Sequence, residues 1–417
     1  MKKLGRFSFG VGDRFGQEGQ AQIAAAIAIQ KETGIHIDLV WNKSKREHSI
    51  IGTSPIDQRK AADAAVKAAN YKGTYFVDAD HIGAASLGPF LDQCDFYTID
   101  VADFIGKKSD SKVISAFVEK HRNLIGTLRV EGIARGIEIT EEFLRSVAER
   151  YLAAAAEAGV VFRTIEAHRG RGNFIAEVSM DETETVQTPA ELLIILASLA
   201  DEGIDLKTIA PKFSGRFNKG VDYVGNVAAF LKEFEEDVRI ATYAAKTFGL
   251  DAGLKLSVHS GSDKFSLYPG IARIAQETGA GFHLKTAGTT WLEELVGLAE
   301  AGGEGLGIAK TVYRQAYDRF DELVLPYASV VDIKRESLPK PDAVDAWTAE
   351  QYAQSLRHVQ SNEHFDINLR QLLHVGYKVA AEMGESYISV LGSCREHVAR
   401  NVTENLLDRH FRPLLKR

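Results

Sequence analysis

The stretch Thr74-Tyr-Phe-Val-Asp78-Ala-Asp80-His81 is an apolar β-type run that ends abruptly in two carboxylates and an imidazole. Such groups at the exit of a buried strand are costly unless paired, hydrogen-bonded or bound to a metal. Other runs share this grammar. Asp95–Asp100 ends in Thr98 and Asp100, Gly159–His168 in Thr164 and Glu166, Leu254–His259 in Ser257 and His259, and Gly281–Thr286 in His283 and Lys285. Side chains two apart on a strand share a face, so each run presents its polar pair on one side and apolar neighbours on the other. Imidazole and carboxylate together are the ligand types of a divalent transition metal such as Zn, Mn, Co, Ni or Fe. Glu166, His259 and His283 are the expected ligands, with Asp80 as base or fourth ligand. Residue types alone do not rank Asp80 against His81.

Basic and hydroxylic residues form a second set. Lys43, with Lys45 and Arg46, follows the second β-like run; Lys212 ends the sixth; and Ser260-Gly-Ser-Asp-Lys264 follows the seventh. Groups of this kind hold anions, and Lys43, His81, Lys212, Ser260 and Lys264 are candidate substrate contacts. For Lys285 two roles stand open. A buried lysine with depressed basicity forms Schiff bases, while an ammonium among carboxylates orients a substrate.

These residues need a scaffold that brings strand ends together. Eight β-like runs (6–13, 35–41, 74–81, 95–100, 159–168, 206–213, 254–259 and 281–286) alternate with helical patterns over about 300 residues, the arithmetic of a (β/α)8 TIM barrel. The rival is a doubly wound open sheet, but no Gly-x-Gly-x-x-Gly stands between a strand and a helix with an acidic residue downstream. The expected fold is α/β: residues 1–302 form a catalytic barrel with a helical insertion after strand four, and residues 303–417 form a helical extension packed on it. In such barrels the active site is built at the carboxyl ends of the strands.

Composition narrows the function classes. The 417 residues are 45% hydrophobic and 26% charged with a net charge of −7, which disfavours nucleic acid and acidic membranes as partners. The two cysteines, Cys94 and Cys394, are too few for a disulfide framework and lack metal spacing. No apolar run approaches membrane length, and the N-terminus does not read as a signal peptide. A cytoplasmic enzyme is expected, with a homo-oligomeric state left open.

Four motifs carry a resemblance: Phe7-Ser-Phe-Gly-Val-Gly-Asp13-Arg-Phe, Val40-Trp-Asn-Lys-Ser-Lys-Arg-Glu-His48, Tyr75-Phe-Val-Asp-Ala-Asp-His81, and Arg395-Glu-His-Val-Ala-Arg-Asn-Val-Thr-Glu-Asn405. With them the chain resembles the tagaturonate epimerase family from its first strand to its last helix. The resemblance implies a metal-dependent isomerase of hexuronate catabolism that interconverts D-tagaturonate and D-fructuronate, with the ketohexoses tagatose and fructose as related substrates. The inverted carbon lies β to the ketone, where enolisation does not acidify the C–H bond. Retro-aldol cleavage and re-addition can invert it, with a cation stabilising the enediolate and Asp80 or Asp100 carrying the hydroxyl proton. The alternatives are a Schiff-base aldolase centred on Lys285 and a non-catalytic sugar-acid-binding barrel.

Overall fold

The structure is a computed structural model that describes residues 2–286 and 288–416. Eight parallel strands close into a barrel: β1 (Phe7–Gly12), β2 (Asp38–Ser44), β3 (Tyr75–Ile82), β4 (Phe96–Asp100), β5 (Ile175–Ser179), β6 (Leu206–Ala210), β7 (Lys255–His259) and β8 (Phe282–Lys285). Each strand pairs with its sequence neighbours and β8 returns to β1, matching Ser8 with His283 and Gly10 with Lys285. This is the expected (β/α)8 TIM barrel.

One strand differs from expectation. Residues 159–168 lie inside a 29-residue helix, Glu141–Arg169, which Thr140 starts by accepting a hydrogen bond from the Phe143 N–H. Its β-branched tail and Gly159 read as strand and boundary, but both lie in the helix interior. The fifth strand is instead the short run Ile175–Ser179. The region between β4 and this helix carries helix Ser111–Lys120 and a hairpin of Gly126–Leu128 with Ile137–Ile139, so the insertion is helical only in part.

Inside the barrel, Val40, Phe76, Phe96 and Ile175 form an apolar plug at the amino ends of β2 to β5, with Leu4 packed against it. Full burial of each such side chain contributes about 1.5–3 kcal/mol. On the other half of the interior Ser8, Thr208, Lys255, Ser257 and His283 are all buried. The plug closes one end, which leaves the carboxyl ends of the strands as the open mouth.

Beyond residue 302 the chain is a run of helices that packs back on the barrel. Helix Arg395–Glu404 lies against helices Thr289–Ala301 and Gly19–Thr33. Buried Arg370 ties this region to the loop after β7, its guanidinium 2.7 Å from Asp263, which also bonds His358 and Thr289. Among the described residues no helix is long and apolar enough to cross a membrane.

Candidate active site

Lys285 occupies the centre of the mouth. Its ammonium lies 2.9 Å from Asp78, 2.9 Å from Asp80 and 3.1 Å from Glu177, and it also donates to the Thr98 hydroxyl. Gly10 makes room for this, since a Cβ there would fall 2.8 Å from both the Lys285 Cγ and Asn42 Oδ1. Burial disfavours the ammonium, but Asp78, Asp80 and Glu177 outweigh it and hold the Lys285 pKa well above the usual lysine range. The carboxylates divide. Burial pushes Asp78 up to about 6, against the pull of Lys285, whereas at Asp80 Lys285 and His81 overcome burial and bring the pKa down to about 2.

Strict alternation would turn only one of Asp80 and His81 inward. The chain avoids the choice. The β3–β4 register shifts between Ala79 and Ile82, and His81 sits at φ 50°, a left-handed backbone rarely held by a residue other than glycine. Local strain of this kind persists where the surroundings over-determine it. With the bulge, Asp80 reaches Lys285 while His81 Nδ1 bonds Asp100 Oδ2 at 2.8 Å.

Across the mouth His259 Nε2 bonds Glu177 Oε1 at 2.8 Å, and its Nδ1 lies 3.2 Å from Asp181 Oδ1. That second approach is an ion-pair contact whose angle falls outside good hydrogen-bond geometry. His81, Asp181 and His259 each bring a ligand-type atom within 4.8 Å of the other two. Two atoms about 2.1 Å from one cation, at 90–109°, lie about 3.0–3.4 Å apart. In both histidines one ring nitrogen is held by a carboxylate, Asp100 or Glu177, which is how metal-ligating imidazoles are oriented. Carboxylate charge reinforces the fit. Burial disfavours both imidazolium ions, yet Asp80 and the Asp100 bond push His81 up to about 10, and Asp181 and Glu177 push His259 up to about 9. Five carboxylates (Asp78, Asp80, Asp100, Glu177 and Asp181) against one lysine favour positive charge at this point, and the three-residue set fits a divalent cation.

The expected site residues thus separate. Asp80, Asp100, His81, His259 and Lys285 converge on the mouth. Glu166 does not: it lies in the last turn of helix Glu141–Arg169, beside Arg171, and a helix returning antiparallel to the strands ends at the opposite pole of the barrel. Glu177, on the actual fifth strand, stands where Glu166 was expected. His283 points inward but one layer deeper, its Nδ1 2.9 Å from the Ser8 hydroxyl, and burial lowers its pKa to about 3. It is outside the three-residue cluster. Lys264 is fully buried with its ammonium on the carbonyls of Asn218, Val221, Ser262 and Asp263, which leaves it no access to an anion. Lys43 is also buried and donates to the Arg14 carbonyl. Ser260 bonds the Lys285 carbonyl at 2.6 Å and latches β7 to β8. Lys212, half-buried after β6, stays on the rim. Glu177 and Asp181 are the residues that sequence reasoning missed. Glu177, Ser179 and Asp181 share one parity, a signal readable only once β5 is placed correctly.

Residues 2–392 match the model of a family described as tagaturonate epimerase. The chain belongs to the tagaturonate epimerase family. A tagaturonate/fructuronate epimerase of Thermotoga maritima is 30% identical over 388 residues, 89% of this chain and 73% of the relative. Crystal structures of a fructuronate-tagaturonate epimerase from Cohnella laeviribosi share the fold at 23% identity. The structure with one glycerol has a TM-score of 0.81 and the native one 0.78, each covering 99% of this chain and 82% of the other. Tagaturonate epimerases are isomerases, and this chain is an epimerase of that family.

Proposed function

We propose that the protein interconverts D-tagaturonate and D-fructuronate by metal-assisted retro-aldol cleavage and re-addition, with the neutral ketohexoses as a second substrate class. The observation that carries this reading is the convergence of His81, Asp181 and His259, each imidazole braced by a carboxylate, beside the ammonium of Lys285. A divalent cation held by these three residues would supply the positive charge that stabilises an enediolate. Asp80, kept ionised beside Lys285, accepts the proton of the substrate hydroxyl and returns it after the aldehyde fragment has turned. Asp100 and Glu177 hold the imidazoles in place. Lys285 keeps the carboxylates charged, and Lys212 on the rim clamps the uronate carboxylate. Residues 1–302 act as the catalytic barrel and 303–417 as its helical extension, in a cytoplasmic enzyme.

The Schiff-base reading loses support from the same geometry. A nucleophilic lysine must be neutral, and Lys285 is surrounded by three carboxylates that keep it protonated. Epimerisation in D₂O tests the scheme. Retro-aldol inversion leaves the inverted carbon free of solvent deuterium, and stoichiometric deuterium there would refute it. Loss of activity on chelation, with recovery on adding a divalent cation, is expected alongside.

A further inference from the structure

Residues 218–221, in the loop after β6, are pinned from two sides. Buried Lys264 donates to the carbonyls of Asn218 and Val221 at 3.2 and 2.8 Å. Between them the Gly220 N–H donates to the Ser262 hydroxyl at 2.9 Å, and the Gly220 carbonyl accepts from Arg370 Nε at 2.6 Å. The Lys219 N–H donates to the Val330 carbonyl at 2.7 Å. Glycine is required at 220, where φ is 76° and a Cβ would stand 3.2 Å from the Arg370 carbonyl oxygen. The loop after β7 and the helical extension together fix this backbone, and the cationic side chain it carries is Lys219.

Lys219 is half-buried, and its ammonium lies 3.2 Å from where a Cβ on Gly261 would stand. Gly261 is two residues past His259, and its N–H bonds the Lys285 carbonyl at 3.2 Å, so the ammonium rests on the rim where β7 and β8 end. Among the described residues that ammonium has no ion-pair or hydrogen-bond partner. Four other cations near the mouth are engaged: Lys285 by three carboxylates, Lys264 and Lys43 by backbone carbonyls, and Arg14 by the Tyr377 ring. His374, from helix Ile367–Val375, reaches the same glycine, its Nε2 3.4 Å from the Gly261 carbonyl oxygen. Burial, and then the charges of Arg14 and Lys219, hold its pKa well below the usual histidine range, so this ring stays neutral. A cation whose backbone is fixed during folding binds an anion with less ordering cost than a loose one.

We infer that Lys219 receives the carboxylate of the sugar acid and selects acids over neutral ketoses. The inference rests on the epimerase reading for the identity of the ligand. It adds a second cation to Lys212, whose backbone is tied to Gln187 on the β5 side of β6, whereas Lys219 comes from the β7 side. A neutral ketohexose has no carboxylate, so the acid alone depends on this charge.

Two variants test it: Lys219→Met removes the charge and Lys219→Arg keeps it. Binding of tagaturonate and of tagatose is read by calorimetric titration and turnover by the epimerisation assay, with thermal melts to confirm folding. Lys219→Met should raise the dissociation constant and KM for tagaturonate at least about tenfold with the affinity for tagatose unchanged, and Lys219→Arg should restore most of the loss. Unchanged tagaturonate affinity in Lys219→Met, or a tagatose affinity that falls as far as that for tagaturonate, overturns the assignment. Wild-type protein that binds tagaturonate, more weakly in Lys219→Met, without epimerising it would refute the proposed reaction and leave the carboxylate contact supported.

Discussion

Replacing Lys285 by methionine removes one positive charge and little volume from the centre of the mouth, which isolates the electrostatic role of the lysine. Asp78 and Glu177 have fully buried side chains and Asp80 is 14% exposed, so no solvent shell replaces the ammonium lying 2.9–3.1 Å from all three. Removing one partner of a buried ion pair costs about 3–5 kcal/mol. At about 2.1 cal/mol/K of unfolding entropy per residue, that lowers the melting temperature of a chain this long by about 3–6 °C. The pH dependence gives a sharper signature. Without Lys285 the folded-state carboxyl pKa values rise above their unfolded values, so the folded variant binds the extra protons and loses stability as pH rises through that window. The deficit relative to wild type is therefore smaller near pH 5 than at pH 8. Differential scanning calorimetry at both values reads the effect, and adding Asp78→Asn should recover part of the loss at pH 8. A single variant that melts within about 1 °C of wild type at pH 8, or a wild-type lysine adduct trapped by borohydride with tagaturonate, would show that Lys285 is not the locked cation described.

Metal content should fall at least tenfold in His81→Ala, Asp181→Asn and His259→Ala, while Glu166→Ala keeps both metal and activity; elemental analysis after dialysis decides between them. Acid should destabilise the protein through His48, His283 and His410, which burial holds neutral with pKa values brought down to about 4, 3 and 4. Below an unfolded value near 6.5 the unfolded chain binds protons that the native state refuses, so urea unfolding at pH 7, 6 and 5 should show stability falling with pH. In metal-free protein His81 and His259 act in the opposite sense, contributing stability at low pH that is lost as pH rises through about 9–10. Arg370→Met strands the buried Asp263 carboxylate and should cost about 3–5 kcal/mol, much of it recovered in the Arg370→Met/Asp263→Asn double variant.

Most of the barrel was legible because its strands end where apolar alternation gives way to polar pairs, and seven of eight lie where that pattern places them. The eighth was hidden by length. Ile175–Ser179 is five residues with an ionisable Glu177 at its centre, whereas Gly159-Val-Val-Phe-Arg-Thr-Ile165 reads as a better strand from side-chain type alone. What keeps the latter helical is burial against neighbouring helices, with Val161, Phe162 and Ile165 all in the core, and packing of that kind overrides propensity. Misplacing one strand had a local consequence at the site. It promoted Glu166, which sits at the wrong pole, and concealed both Glu177 and Asp181.

Parity also fails where the chain departs from ideal geometry, and that is where the chemistry concentrates. A period of two forces a choice between Asp80 and His81, but the β3 bulge with its left-handed His81 turns both toward the mouth. The bulge separates two tasks: Asp80 meets Lys285, and His81 is braced by Asp100 for the His81–Asp181–His259 set. The proposed retro-aldol route needs a base and a stabiliser of negative charge at one end of the substrate, held apart so that neither neutralises the other. Adjacent residues on a regular strand cannot supply both from the same side of the sheet. One strained backbone angle removes that restriction. Relaxing the bulge by deleting Ala79 should therefore abolish turnover through both groups at once, whereas replacing either side chain removes one.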